Sequence, residues 1–387
     1  MTRNAVTYLD HSASAPLLPA ARDALVDVLA IPGNPSSVHE NGRKLRAIIE
    51  EARDQVALLC GTARGRVVFT GSATESLTHA IWGLARSQKV QRILVGAGEH
   101  MAVIRAVESA GVPFDFIPML ENGLLDLAAL EAQLAAADAA DERVLVAVQQ
   151  VNNETSVVQP IEEIGELLFD KEHYLLVDGA QGAGKVEFYF DPSRADFYSV
   201  SAHKIGGPAG VGALILKPRV DDVRLIPGGG QEQGRRGGTE SAALIAAFGV
   251  AAAQAKENFA QMPQDLVAKA EEGLKALFPQ VVFFGADAPR SGMASAFALP
   301  GIKNNISMIQ YDLARIALSA GSACSSGKVS RSHVLSAMHV DPDLADCALR
   351  LSVGWNSTPD DIEAFLSASA QIAEKFKDSA HPNARAV

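Results

Sequence analysis

Between residues 67 and 216 the chain repeats one pattern: a short, mostly apolar run, then a longer stretch in which apolar residues recur at helical spacing. The runs fall at 67–70, 92–95, 114–117, 144–148, 174–177, 197–200 and 212–216. Several are apolar at every position, and a strand of that kind needs cover on both faces, which a parallel sheet with crossover helices supplies. Helices are expected at 43–60, before the first run and closed by Gly61, and at 127–136, opened by Asp126 as N-cap. Near Lys256 the character changes to two helical stretches, 263–277 and 359–375, interleaved with strand pieces at 281–284, 294–299 and 349–353. The expectation is an α/β protein. A large domain, 16–255, carries the mainly parallel sheet flanked by helices, and a smaller α+β domain is formed by 1–15 and 256–377. Residues 378–387, polar and containing Pro382, read as a flexible tail.

With 387 residues, 48% of them hydrophobic, the chain can bury a large core. A net charge of −11 argues against a general nucleic-acid or anionic-membrane surface. Three cysteines, Cys60, Cys324 and Cys347, are too few for a disulfide framework and suit a reducing compartment. The first residues lack the apolar core of a signal peptide, and the most apolar helical stretch, 242–253, is too short for a bilayer and contains Gly249. A cytoplasmic protein is expected, with 242–253 as a buried helix.

Chemistry gathers at strand ends. Asp178 closes the run Tyr174-Leu175-Leu176-Val177, and ligands of open α/β sheets bind outside the carboxyl ends of the strands. Gln181 follows three residues later, and the next run ends in Ser201-Ala202-His203-Lys204. Either residue alone is ordinary: an Asp caps a turn, a Lys is solvated. Together they are candidates for a pyridoxal phosphate site, which needs a lysine for the aldehyde and an acid at the ring nitrogen. Burial near Lys204 favours the neutral amine that such chemistry requires. Gly71-Ser72-Ala73-Thr74-Glu75 follows the first run and opens a helix; small residues, a hydroxyl and free N–H groups suit a phosphate, although a plain turn capped by Thr74 fits equally well. Gly179-Ala180-Gln181-Gly182-Ala183-Gly184-Lys185 copies the spacing of a nucleotide-binding P-loop, but Val186 stands where a Mg²⁺-binding hydroxyl belongs. Nucleotide binding is therefore not expected, nor is a metal site.

Asn153-Glu154, Asp178-Gly179-Ala180-Gln181, Ser201-Ala202-His203-Lys204, Arg236-Gly237-Gly238-Thr239 and Ser319-Ala320-Gly321-Ser322-Ala323-Cys324 occur in that order. The ordered set, with Tyr8-Leu9-Asp10 before it and Leu349-Arg350-Leu351-Ser352 after it, resembles the cysteine desulfurases, of the class V aminotransferase group and the type I pyridoxal-phosphate fold. The resemblance runs to about Gly354. It implies that Lys204 carries the cofactor, Asp178 pairs with the ring nitrogen, and Gln181 and Asn153 contact the ring hydroxyl or the substrate. His100 would stack on the ring and move protons; Ala73, Thr74, Ser201 and His203 would hold the phosphate. Thr239 would reach the phosphate of a neighbouring subunit in a homodimer. Arg350 would clamp the substrate carboxylate, since its planar fork fits that group bidentately, and Asn34, in Gly33-Asn34-Pro35, is a further substrate-side candidate.

Cys324 lies among glycines, serines and alanines that have little to bury, so a mobile, exposed thiol is expected there, whereas Cys60 and Cys347 sit in apolar patterns and read as core. The resemblance makes Cys324 the nucleophile that takes sulfur from L-cysteine as a persulfide, releasing L-alanine. Ala320-Gly321-Ser322-Ala323-Cys324 resembles the longer of the family's two loop types, which implies delivery of the sulfur to an acceptor such as an iron–sulfur scaffold protein. Local departures occur at Ser14-Ala15-Pro16, Ala209 and Gly237. A selenocysteine lyase or aminotransferase-like relative keeps the same cofactor, and a non-catalytic redox sensor or assembly protein is the alternative of another class.

Overall fold

The computed structural model describes residues 6–224, 226–320 and 331–377. The expected flexible tail, 378–387, and the Cys324 segment lie outside the described residues. In chain order the strands among them are β1 (Thr7–Tyr8), β2 (Val67–Thr70), β3 (Arg92–Gly96), β4 (Phe114–Ile117), β5 (Val144–Gln149) and β6 (Tyr174–Asp178). Then follow β7 (Phe197–Ser201), β8 (Gly212–Leu216), β9 (Val282–Phe284), β10 (Ala294–Ala298), β11 (Ile316–Ala317) and β12 (Ala348–Ser352).

The central sheet has the order β2-β8-β7-β6-β5-β3-β4. It is the α/β arrangement expected, a large parallel-dominated sheet between helices. Strands β2 and β5 to β8 are buried at every position, as their mostly apolar sequences require. Only β4, on the edge, exposes residues, among them Asp115. One strand departs from the parallel order: β8 runs antiparallel to both β7 and β2. The link from Ser201 to Gly212 is too short for a crossover helix, so the chain turns back, with Gly206 and Gly210 at positive φ, and pairs with its neighbour.

One face of the sheet is covered by helices Glu40–Leu59 and Ala242–Glu257, which pack on each other. Gly249 allows this contact, since a Cβ there would lie 2.6 Å from Ala52 Cα. Helices Ala73–Arg86 and Met101–Glu108 pack together on the other face. A separate apolar cluster joins Leu9, Leu266, Phe297, Tyr311, Leu349 and Phe365 around the smaller antiparallel sheet β12-β10-β9. The strand pair β1–β11 and the bridges Asp10–Ser352 and Ser319–Arg350 bring residues 7–13 across to the carboxyl edge of the large sheet. No helix of the described residues is long and apolar enough to cross a membrane.

Candidate active site

The carboxyl ends of β5, β6 and β7, the turn after β2 and the start of the helix after β3 surround one open cavity of about 990 Å³, its mouth included. Gln149, Asp178 and Ser199 stand side by side in register across the three strands. Asp178 is buried, and its Oδ1 accepts a hydrogen bond from the Ala180 backbone N–H at 3.0 Å. Burial pushes its carboxyl up to about 6, against the pull of that N–H and of the Lys204 charge. Lys204 ends a single 3₁₀ turn directly after β7. Its Nζ donates to the carbonyls of Ser12 at 2.6 Å and Ala13 at 2.9 Å, so residues 12–13 hold the amine at the cavity wall.

Across the cavity, Ser72, Ala73 and Thr74 form the N-terminus of the helix Ala73–Arg86. The cap is Ser72, whose Oγ accepts from the Glu75 N–H at 3.2 Å, which corrects the expectation of Thr74 in that role. Ser72 is preferred because its extended backbone leads straight out of β2, while Thr74 already lies inside the helix, where its carbonyl accepts from Thr78 Oγ1. With the cap spent on Glu75, the first-turn N–H groups still face a ligand site. Gly212 of β8 passes so close that a Cβ there would meet Ala73 N at 3.0 Å. Glu75 is occupied elsewhere, accepting from the Gly71 N–H and from the Arg236 guanidinium.

His100 caps the helix Met101–Glu108: Nδ1 accepts from the Ala102 N–H at 3.1 Å, which leaves the neutral ring's proton on Nε2. Burial, then the charges of Lys204 and His333, pull its imidazole down to about 4. His203, with Nδ1 3.2 Å from Ser14 Oγ, is likewise lowered to about 4 by burial and by Lys204 and Lys185. Both imidazoles are uncharged at neutral pH.

Arg350 of β12 is 1% exposed and reaches the cavity from the smaller sheet. One Nη donates to the Asn153 carbonyl at 2.7 Å; the other donates to Asp10 Oδ1 at 2.9 Å and Ser319 Oγ at 2.8 Å. Among the described residues, the buried Arg350 Nε and Asn153 Oδ1 have no hydrogen-bond partner. The arrangement leaves one donor of a buried guanidinium unpaired, among the described residues, on a side chain that lines the cavity.

Ala73, Thr74, His100, Asn153, Asp178, Gln181, Ser201, His203, Lys204 and Arg350 all line this cavity. Asn34 does not: it is exposed, and its Oδ1 accepts from the Ser36 N–H at 2.8 Å in the local turn that Asn-Pro favours. Thr239 is exposed on this chain and also lies off the cavity. Cys324 falls outside the described residues; Cys60 and Cys347 are buried. Sequence reasoning missed Ser12, Ala13 and Gln149, which line the cavity without a motif of their own. It also missed Lys185 and Glu99, both buried beside the site.

The sequence model of "Aminotransferase class-V" matches residues 7–365. The cysteine desulfurase IscS of Rickettsia bellii is 34% identical over 385 residues, covering 96% of this chain and 92% of that protein. A NifS-like protein from Rickettsia africae superposes with a TM-score of 0.85 at 30% identity, covering 95% of this chain and 99% of the other. A solved structure of SspA in complex with cysteine aligns over 90% of this chain and 98% of that one, with a TM-score of 0.76 and 28% identity. This chain belongs to the cysteine desulfurase family of the class V aminotransferases, whose members depend on pyridoxal 5'-phosphate.

Proposed function

We propose that this enzyme converts L-cysteine to L-alanine and leaves the sulfur as a persulfide on Cys324. The observation that carries the reading is the pairing, at the ends of adjacent strands, of a buried carboxyl at Asp178 with a half-buried amine at Lys204, both lining one cavity with an anion-ready helix N-terminus and a buried arginine. The residues fit the cofactor. Among the described residues Asp178 has a backbone N–H as its only hydrogen-bond donor and no ion pair, so a protonated ring nitrogen supplies the partner that a buried carboxylate lacks.

When bound, pyridoxal phosphate supplies an aldehyde that captures an amine and a ring that holds the electrons released at the substrate's α-carbon. Lys204 would carry it and, once freed by the incoming amino group, move the α-proton on Nζ. Ala73, Thr74, Ser201 and His203 would hold the phosphate, and Gln181 and Asn153 the ring hydroxyl or substrate. His100, uncharged and bearing its proton on Nε2, would offer a hydrogen-bond donor at the ring or substrate without adding a charge to the resting site. Arg350 would orient the substrate carboxylate, and the Cys324 thiolate would take the sulfur as the C–S bond breaks.

The described ends of the segment carrying Cys324 support its place in this scheme. Ser319 exchanges backbone hydrogen bonds with Arg350, while Ser332 Oγ donates to Glu154 Oε2 at 2.5 Å and His333 Nε2 lies 2.8 Å from the Glu99 carbonyl. Both ends are thus tied to the cavity's rim. Cys324 follows Ser319 by five residues, a reach of at most about 18 Å along an extended chain.

The proposal extends to a homodimer in which the exposed Thr239 meets the partner's phosphate, to Asn34 on the substrate side, to an acceptor protein of iron–sulfur assembly, and to a cytoplasmic location. It includes a division of the chain into a cofactor-binding part, 16–255, and a smaller part, 1–15 with 256–377. A non-catalytic redox role leaves Lys204, Asp178 and Arg350 without purpose.

L-cysteine added to the cofactor-loaded protein should change its visible spectrum and yield alanine in the same tube; a changed spectrum without alanine removes the desulfurase reading. A second result concerns pH. The ring nitrogen's proton pairs with ionised Asp178, and Asp178 takes up its own proton below about 6. Binding favours the ionised form, so cofactor affinity is full above that pH and weakens as pH falls through it, by about tenfold per unit. Titration of the cofactor-free protein from pH 8 to 5 checks this, and Asp178→Asn should weaken binding and flatten that dependence. An unchanged affinity down to pH 5 removes Asp178 from the role.

A further inference from the structure

The segment that imitates a P-loop has a different use. Its glycines answer to packing: a Cβ on Gly179 would lie 2.1 Å from the Tyr198 ring, one on Gly182 would lie 1.9 Å from Gln150 Oε1, and Gly184 has φ +69°. Lys185, at its end, turns inward rather than toward a phosphate and is 6% exposed. A buried lysine without a carboxylate is costly, and among the described residues its one side-chain bond is to Gln181 Oε1, at 2.9 Å. Gln181 Nε2 donates to the Ser12 carbonyl at 2.7 Å, and the same carbonyl accepts from Lys204 Nζ at 2.6 Å. The orientation of a glutamine amide is ordinarily ambiguous. Here it is fixed from both ends, because the Ser12 carbonyl only accepts and Lys185 donates.

We propose that Lys185 is a positioning residue of the cofactor site: it clamps Gln181 from behind and, through the Ser12 carbonyl, sets the resting place of the Lys204 amine. The inference rests on the reading of Lys204 as the cofactor's lysine. Lys204, Arg350, His11 and His203 are the titratable groups that sense Lys185 or are sensed by it, and none of them is a carboxylate. Burial and the two neighbouring cations lower its amine to about 7. Without Lys185, Gln181 loses its fixed direction and the site loses a positive charge. Both changes make proton uptake at the Lys204 nitrogen easier.

The test compares Lys185→Met with Lys185→Arg in the holoenzyme, after circular dichroism has established folding. The methionine variant should raise the pH midpoint of the bound cofactor's colour change by about one unit and weaken cofactor affinity by about tenfold, while the arginine variant stays near wild type. A folded Lys185→Met that titrates as wild type overturns the proposal, and so does a Lys185→Arg as impaired as the methionine variant, which signals packing alone. Should Lys185→Met not fold, Gln181→Leu opens the clamp from the other side and must give the same upward shift; a wild-type midpoint there overturns it equally. A wild-type protein with no cofactor band at all instead sinks the reading of Lys204.

Discussion

Lys204→Ala should bind pyridoxal phosphate without the absorption band of a lysine-bound chromophore and should lose at least about 10³-fold of its alanine-forming rate, the scale of the proton-transfer contribution alone. The effect is large because one amine is asked to hold the cofactor and to move the α-proton. A rival lies close by: Lys185, lowered to about 7, is itself a candidate nucleophile at neutral pH on acidity alone. Position decides against it. Lys204 lines the cavity, whereas Lys185 is held against the amide oxygen of Gln181, which itself forms part of the cavity wall. Borohydride reduction of the loaded wild-type protein, followed by peptide mapping, should place the label on Lys204. A label on Lys185, or a Lys204→Ala protein that keeps both band and turnover, removes Lys204 from its place.

The strands of the large sheet were legible because burial on both faces leaves mostly apolar residues to write them, and their observed ends differ from the expected ones by a residue at most. The helix Pro359–Lys375 was legible for another reason: Pro359 at its first position and the reciprocal bonds of Thr358 and Asp361 mark its start. Asp178 and Lys204 could be found because each closes such a strand. What holds Lys204 could not, since the carbonyls of Ser12 and Ala13 are backbone groups that any residue carries, brought there by pairing of residues 7–10 with segments more than three hundred positions away. Gly179, Gly182 and Gly184 misled in the opposite way, because glycines selected by contact with Tyr198 and Gln150 and by a positive φ look the same in sequence as glycines selected by a phosphate. The reversed strand β8 follows from the brevity of the link before it rather than from its own residues, which are apolar whichever way they run.

Cys324→Ala should keep the cofactor's band and its spectral response to L-cysteine yet form alanine at least about a hundredfold more slowly, with no persulfide on the protein. The expectation is sharp because the chain's other thiols cannot substitute. Cys60 is 1% exposed, and burial pushes its thiol up to about 12. Cys347 is 3% exposed, donates its Sγ–H to the Asp343 carbonyl and is also raised by burial. A thiol held in its protonated form in an apolar interior neither attacks sulfur nor accepts it. The two steps therefore separate: cofactor and amino-acid binding belong to the cavity, whose residues the substitution leaves alone, and sulfur abstraction belongs to Cys324. Alkylation with iodoacetamide adds an independent arm, since it should block wild-type turnover by modifying Cys324 while leaving the band intact. Alanine produced by Cys324→Ala at the wild-type rate would show that sulfur leaves without a protein thiol, and the reaction would then be a simple lyase step.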